Sequence, residues 1–75
     1  MIGVKECIAN ILGIKDLAVI ADDGDIVEKL NADSLDMVEI VMKLEDTYNI
    51  SIPDEIGETF KTANDMLKYL ISLGL

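Results

Sequence analysis

The 75-residue sequence contains no histidine and no arginine, and it has a single cysteine and a single proline. Without histidine, a serine nucleophile activated by a Ser-His pair is excluded. One cysteine cannot form an internal disulfide, and no apolar run is long enough to cross a bilayer. We therefore expect a cytoplasmic protein that is not inserted into a membrane.

Positive charge is scarce along the whole chain. Fifteen acidic residues face six lysines, which gives a formal net charge of -9. Such a surface repels nucleic acid and anionic lipids, so the expected partners are basic proteins. The length allows one domain, residues 1–75, with a modest core and no room for a deep catalytic cleft. We expect this domain to be a monomer.

Apolar periodicity predicts an all-α fold with no strands. The first helix has apolar residues at Val4, Cys7, Ile8, Ile11 and Leu12 and ends at Gly13. A long loop, residues 13–33, with room for a helical turn, leads to a second helix that begins at Asp33 or Ser34 and ends near Tyr48. A short helix over 54–59 and a last helix follow, the latter opened by Thr62 to Asp65, which resembles a capping box. The apolar stripe of the last helix is Ala63, Met66, Leu67 and Leu70. The pattern predicts a small helical bundle of three main helices plus a short third helix.

The second helix carries two apolar stripes. The first faces the expected core and consists of Met37, Ile40, Val41, Leu44 and Tyr48. The second consists of Leu35, Val38 and Met42, is bordered by Glu39, Glu45 and Asp46, and has Ser34 at its N-terminal end. These three apolar residues are either partly covered by the long loop or scattered on the surface, or they form a docking face whose acidic rim steers a basic partner.

Ser34 lies at a helix start, where a serine is most often a cap. Lys29 and Lys43 show no pairing with it, and no glycine-rich oxyanion turn follows, so we expect no catalytic residue here. A hydroxyl at a helix N-terminus is instead suited to carry a phosphate ester that another enzyme attaches.

Other chemically interesting residues have simpler interpretations. Aligning Gly24 with the glycine of a calcium loop puts Val19, Ala21 and Leu30 at ligand positions, so no metal site is expected in the acidic turn formed by residues 22–25. Cys7 lies on the apolar face of the first helix, where a buried thiol acts as a small hydrophobe.

The segments from Leu30 to Asp36, from Val38 to Met42 and from Ile52 to Glu55 closely resemble the acyl carrier proteins, and the likeness covers essentially the whole chain. The Asp-Ser-Leu core alone is short, but its position at the head of an acidic helix, followed by Ile-Pro-Asp-Glu, makes the resemblance specific. It implies a non-enzymatic, antiparallel helical bundle whose motif serine carries a covalent 4'-phosphopantetheine arm.

By this resemblance Ser34 is the attachment residue, and Asp33 lies beside the metal and phosphate during transfer by a phosphopantetheinyl transferase. The resemblance also implies acyl-processing enzymes with basic patches as partners, acyl chains carried as thioesters, and chain protection that involves Ile40, Leu44, Ile52, Phe60 and Leu67. The implied docking residues are Leu35, Asp36, Val38, Glu39, Met42, Glu45 and Asp46.

Two departures from the family pattern stand out. Asn31 occupies a position where glycine is usual, and asparagine tolerates the left-handed backbone such a turn requires. Lys43 interrupts the acidic helix, which bears on the choice of partner enzymes.

The resemblance favours a carrier in type II fatty acid biosynthesis. The alternatives are a carrier dedicated to a polyketide, nonribosomal peptide or specialised lipid pathway, an unmodified interaction subunit in which Ser34 is only a cap, and, more remotely, a small hydrolase that uses Ser34.

Overall fold

The computed structural model describes residues 3–75, so residues 1 and 2 of the expected 1–75 domain lie outside the described residues. The helices are α1 Val4–Leu12, α2 Ile26–Leu30, α3 Ser34–Tyr48, α4 Asp54–Gly57 and α5 Ala63–Ser72, with a 3₁₀ turn at Leu17–Val19. Within the described part of the chain there is no strand, and no helix combines the length and apolar character needed to cross a membrane. The predicted all-α class is confirmed.

Helices α1, α2 and α3 each end at a residue with a left-handed backbone. Gly13 ends α1 with φ 71°, and Asn49 ends α3 with φ 55°. Asn31 ends α2 with φ 57°, which confirms that this position needs a residue tolerant of left-handed geometry. The turn before Ser34 therefore keeps its shape with asparagine in place of glycine.

The core lies where α1 packs against α3 and α5. Its largest fully buried side chains come from all three helices and from the connection between α1 and α3: Cys7, Ile8, Ile20, Ile26, Ile40, Leu44 and Met66. The Cys7 Sγ lies 3.6 Å from Thr47 Oγ1, a hydrogen bond that links α1 to the end of α3. The interpretation of Cys7 as a buried hydrophobe is confirmed.

The connection from residue 13 to residue 33 is more structured than a loop. It contains the 3₁₀ turn and α2, and Ile20 and Ile26 anchor it in the core. Its acidic turn is also held by neighbours: Lys5 Nζ lies 2.6 Å from Asp22 Oδ1, and Asn64 Nδ2 donates to Asp23 Oδ1 at 3.1 Å. These acids therefore attach the connection to α1 and α5.

The predicted apolar stripe of α5 was wrong at one position. Ala63, Met66 and Leu70 are buried, but Leu67 is 46% exposed. Successive helical residues are about 100° apart, so Leu67 lies at the edge of the arc defined by the other three. The opposite edge of this arc faces the core instead. Tyr69 lies on that edge, and its ring centroid is 5.8 Å from that of Phe60.

The short helix α4 ends two residues earlier than the predicted range of 54–59. After Gly57 the backbone tightens, with Thr59 N donating to Ile56 O at 3.0 Å and Phe60 N donating to Gly57 O at 3.2 Å. Bonds between residues three apart are typical of a helix that closes in a 3₁₀ turn. This turn brings Phe60 into the core.

Candidate functional site

Ser34 is the first residue of α3, and Asp33 rather than Ser34 caps that helix. Asp33 Oδ1 accepts a hydrogen bond from Asp36 N at 2.8 Å, and Asp33 N donates to Asp36 Oδ2 at 3.1 Å, which is a reciprocal capping box. Ser34 is exposed, and its hydroxyl makes no hydrogen bond within residues 3–75. Ser34 is therefore not the cap of α3.

An open groove of about 820 Å³ begins at Ser34 and runs beside α3. One wall comes from α3 and the other from α2, α4 and the segments that flank α4. The lining residues are Val27, Ser34, Met37, Val38, Val41, Met42, Glu45, Ile52, Asp54, Gly57, Glu58, Phe60 and Lys61. The groove is mostly apolar with charged side chains among its lining residues, so it suits an elongated, largely apolar group attached at Ser34.

The second apolar stripe of α3 faces outward. Leu35 is 63% exposed, Val38 55% and Met42 56%, so the α1–α3 connection does not cover them. Val38 and Met42 also line the groove, whereas Leu35 does not. Three large exposed apolar residues beside one exposed serine form a contiguous surface of the kind found at interaction sites.

The core stripe of α3 is narrower than its periodicity indicates. Ile40 and Leu44 are fully buried, whereas Met37, Val41 and Tyr48 are half-buried. Met37 and Val41 turn one side toward the groove. Part of the helix face that the sequence analysis assigned to the core therefore lines the groove instead.

The four acids assigned to docking are placed in different ways. Asp36 is held in the capping box, and Glu45 Oε2 accepts a hydrogen bond from Ile52 N at 2.8 Å, which fastens the chain before α4 to α3. Glu39 and Asp46 line a second, smaller cavity of about 230 Å³ together with Ile11, Met42 and Lys43. Asp36 and Glu45 thus have structural roles that the sequence did not indicate.

Sequence reasoning named Ile52 and Phe60 on the far wall of the groove but missed other residues there. Val27, Gly57 and Lys61 come from separate elements, and no local spacing connects them to Ser34. At Gly57 an added methyl group would lie 3.5 Å from Val41 Cγ2, so the glycine leaves room between α4 and α3. Only the tertiary arrangement identifies these residues.

Two side chains near the site have shifted acidities. The N–H of Lys61 holds the pKa of Asp65 below its ordinary value, assisted by the N–H and hydroxyl of Thr62 and by the charge of Lys68. Burial raises the pKa of Tyr48, assisted by the negative charge of nearby groups. Neither residue lines the groove, so both shifts belong to the fold. Across residues 3–75, no cluster of three or more metal-binding side chains was found.

Comparison with known proteins places this arrangement in a family. The profile of the family described as "Phosphopantetheine attachment site" matches residues 3–70. An acyl carrier protein of Brachyspira hyodysenteriae is 46% identical over 67 residues, which cover 89% of this chain and 86% of that protein. An acyl carrier protein of Syntrophobacter fumaroxidans is 43% identical over 67 residues, covering 89% and 82%.

A solved structure from Mycobacterium tuberculosis, described as a candidate acyl carrier protein, has the same fold. Its TM-score is 0.83 at 24% identity, over 93% of this chain and 92% of that one. Together with the profile and the two relatives, the capped helix and exposed serine lead to one conclusion: this chain belongs to the acyl carrier proteins.

Membership defines the general role of the protein. It is a non-enzymatic carrier of acyl groups, its cofactor is covalently bound 4'-phosphopantetheine, and it interacts with acyl-processing enzymes.

Proposed function

We propose that Ser34 is the attachment residue for 4'-phosphopantetheine and that the protein carries the intermediates of type II fatty acid biosynthesis in the cytoplasm. The observation that supports this most is that Asp33, and not Ser34, caps α3. The hydroxyl of Ser34 stays exposed at the mouth of the groove.

The residues around Ser34 fit a phosphate-linked arm. A phosphate ester at the first residue of α3 lies near backbone N–H groups and the positive end of the helix dipole. When attached, the arm supplies a terminal thiol that holds an acyl group as a thioester. The protein's own contribution is to present the hydroxyl, to orient the arm along the groove and to shield apolar cargo from water.

Asp33 has a second role in this proposal. Its Oδ1 is occupied by the capping hydrogen bond, whereas its Oδ2 makes no hydrogen bond within the described residues. This oxygen is available to face the metal and phosphate when a phosphopantetheinyl transferase loads Ser34. The cap thus fixes the carboxylate in place for the transferase.

The exposed stripe and its acids form the proposed docking face. Leu35, Val38 and Met42 provide apolar contact area beside Ser34, and the acids Asp36, Glu39, Glu45 and Asp46 direct basic patches of partner enzymes toward it. Asp36 and Glu45 each have one oxygen engaged within the fold, so Glu39 and Asp46 have both oxygens available to a basic partner.

Protection of the acyl chain belongs to the groove rather than to the central core. Ile52 and Phe60 line the groove and are placed to contact apolar cargo. Ile40 and Leu44 are fully buried and do not line it, and Leu67 is exposed on α5. Cargo that reached the first two would have to displace core side chains.

The test is intact-mass measurement after incubation with coenzyme A, magnesium and a broad-specificity phosphopantetheinyl transferase. The wild type should gain the mass of one phosphopantetheine, and Ser34→Ala should gain none. Ser51→Ala, which removes another exposed serine, is the matched control and should be loaded like the wild type. Loading of Ser34→Ala, or no loading of folded wild type, would contradict the proposal.

The pathway needs a separate measurement. A malonyl transferase from a dissociated fatty acid synthase should transfer malonyl groups to the loaded protein. Rejection by that enzyme, with acceptance by a polyketide, nonribosomal peptide or specialised lipid system, would assign the carrier to a dedicated pathway.

A further inference from the structure

The groove beside Ser34 contains one positive side chain among several negative ones. Of its lining residues, Glu45, Asp54 and Glu58 carry carboxylates, and Lys61 carries the amine. Lys61 is one of six lysines in a protein of net charge -9, and it is the one cation among these lining residues.

The amine of Lys61 is not committed to another partner. Among the described residues, the one ion pair within 4.0 Å joins Lys5 to Asp22. Lys61 is exposed, and none of the groove carboxylates lies close enough to pair with it. Its side chain is therefore available to a group that enters the groove.

The backbone of Lys61, by contrast, is held on both sides. Its N–H donates to Asp65 Oδ2 at 3.1 Å, and its carbonyl accepts from Ile26 N at 2.8 Å. The first bond joins the segment before α5 to α5 itself, and the second joins it to the first residue of α2. The side chain thus starts from a fixed point on the groove wall, which reduces the entropy lost when it pairs with an anion.

An anionic group carried on Ser34 would lie in strongly negative surroundings. Asp33 precedes Ser34, Asp36 follows two residues later, and Glu45 lies further along the groove. Like charges in one site disfavour each other, and a cation in the same groove offsets this repulsion.

We propose that Lys61 is a positioning residue that pairs with an anionic oxygen group on the Ser34 arm. This inference rests on the proposed attachment at Ser34. The anion has two sources: the phosphodiester that links every arm to Ser34, or the free carboxylate of a dicarboxylic acyl group held at its end.

The experiment compares the reactivity of individual lysines toward an amine-acetylating reagent, quantified by peptide mass spectrometry. Four forms of the protein are used: unmodified, phosphopantetheinylated, butyryl-loaded and succinyl-loaded. Pairing should slow acetylation of Lys61 by roughly 1.4- to 5-fold, the factor that corresponds to an exposed ion pair. Lys15, which is exposed and does not line the groove, should react equally in all four forms.

The pattern across the forms identifies the source. Slowing in all three modified forms indicates the phosphodiester, and slowing in the succinyl-loaded form alone indicates the carboxylate. For the phosphodiester, Lys61→Gln should also shift the ³¹P resonance of the arm, Lys61→Arg should restore it, and the control Lys15→Gln should leave it unchanged.

Two negative results have different meanings. If intact mass shows the arm in place and Lys61 reacts equally in all forms, the inference is overturned and the proposed function stands. If no arm can be attached to Ser34, both are overturned.

Discussion

Helices α3 and α5 begin with the same device and use it differently. In α3, Asp33 and Asp36 form the capping box, and in α5, Thr62 and Asp65 form it, with Asp65 N donating to Thr62 Oγ1 at 3.0 Å. At α5 the capping group is the hydroxyl of Thr62. At α3 a carboxylate serves as the cap, and the neighbouring hydroxyl stays exposed.

The second difference is how firmly each box is joined to the rest of the molecule. Asp65 accepts from both Thr62 N and Lys61 N, and Asn64 N donates to Asp22 O at 3.0 Å, so the start of α5 is bonded to the α1–α3 connection. The box of α3 is confined to Asp33 and Asp36. The start of α5 is bonded to a neighbouring segment, whereas the start of α3 has an exposed hydroxyl beside its cap.

The largest expected effect is on the free energy of unfolding, and it should differ between a buried residue of α3 and an exposed residue of α5. Leu44→Ala should lower the free energy of unfolding by about 2 to 5 kcal/mol, because Leu44 is fully buried. Leu67→Ala removes the same atoms from an exposed site and should change it by no more than about 0.5 kcal/mol. Urea denaturation followed by circular dichroism measures both, and equal losses would show that the assigned faces are wrong.

Removal of each cap tests whether the two boxes differ in function. Asp33→Ala and Thr62→Ala should each lower stability by about 0.5 to 2 kcal/mol, the usual range for a lost N-cap. Only Asp33→Ala should also slow loading of Ser34. Asp33→Ser restores a capping group without a carboxylate, so it should recover stability but not the loading rate; full recovery of loading would mean that Asp33 acts only as a cap.

Acid should weaken the α5 box through Asp65. Its pKa is lowered chiefly by the N–H of Lys61, so its ionised form stabilises the fold above the ordinary aspartate range. This contribution is complete above about pH 5 and is lost as the pH falls through the lowered pKa. Melting temperatures measured between about pH 5 and pH 2 should therefore fall less steeply for Asp65→Asn than for the wild type.

The control for this titration is Asp46→Asn, since Asp46 is exposed and makes no side-chain hydrogen bond within the described residues. Its melting curve should follow the acid dependence of the wild type. An unchanged slope in Asp65→Asn would show that the α5 box contributes nothing to acid sensitivity.

The smallest effect on stability is expected at the exposed stripe of α3. Val38→Ala should alter the free energy of unfolding by less than about 0.5 kcal/mol, because Val38 is more than half exposed. It should nevertheless raise the KM of a phosphopantetheinyl transferase for the protein, since contact area beside Ser34 is lost. A strong loss of stability with an unchanged KM would place Val38 in the core.

The sequence predicted those parts of the fold that local patterns determine. Helices α1, α3 and α5 follow from apolar periodicity, and the capping box of α5 and the left-handed backbone at Asn31 follow from residue types at helix ends. The capping box of α3 was not predicted. The five residues of α2 are too few for a periodic signal, so that helix could only be anticipated as a turn. Leu67 was misassigned because periodicity gives the width of an apolar arc but not which edge faces the core.

The candidate site divides in the same way. Ser34, Asp33 and the outward stripe all lie on one helix or its cap, where spacing alone relates them. The groove depends on packing between α3 and distant segments, and Lys61 reaches it through bonds to Ile26 and Asp65 that no sequence pattern indicates.

The offset of one residue between the cap and the serine has a thermodynamic consequence. Since the hydroxyl of Ser34 makes no bond that maintains the helix, esterification removes no interaction from the native state. Attachment at a capping hydroxyl such as that of Thr62 would instead weaken the hydrogen bond that caps its helix. By thermodynamic linkage, a modification that leaves native contacts intact does not lower the free energy of unfolding. With the arm attached at Ser34 as proposed, the start of α3 would therefore keep the same capping box before and after loading.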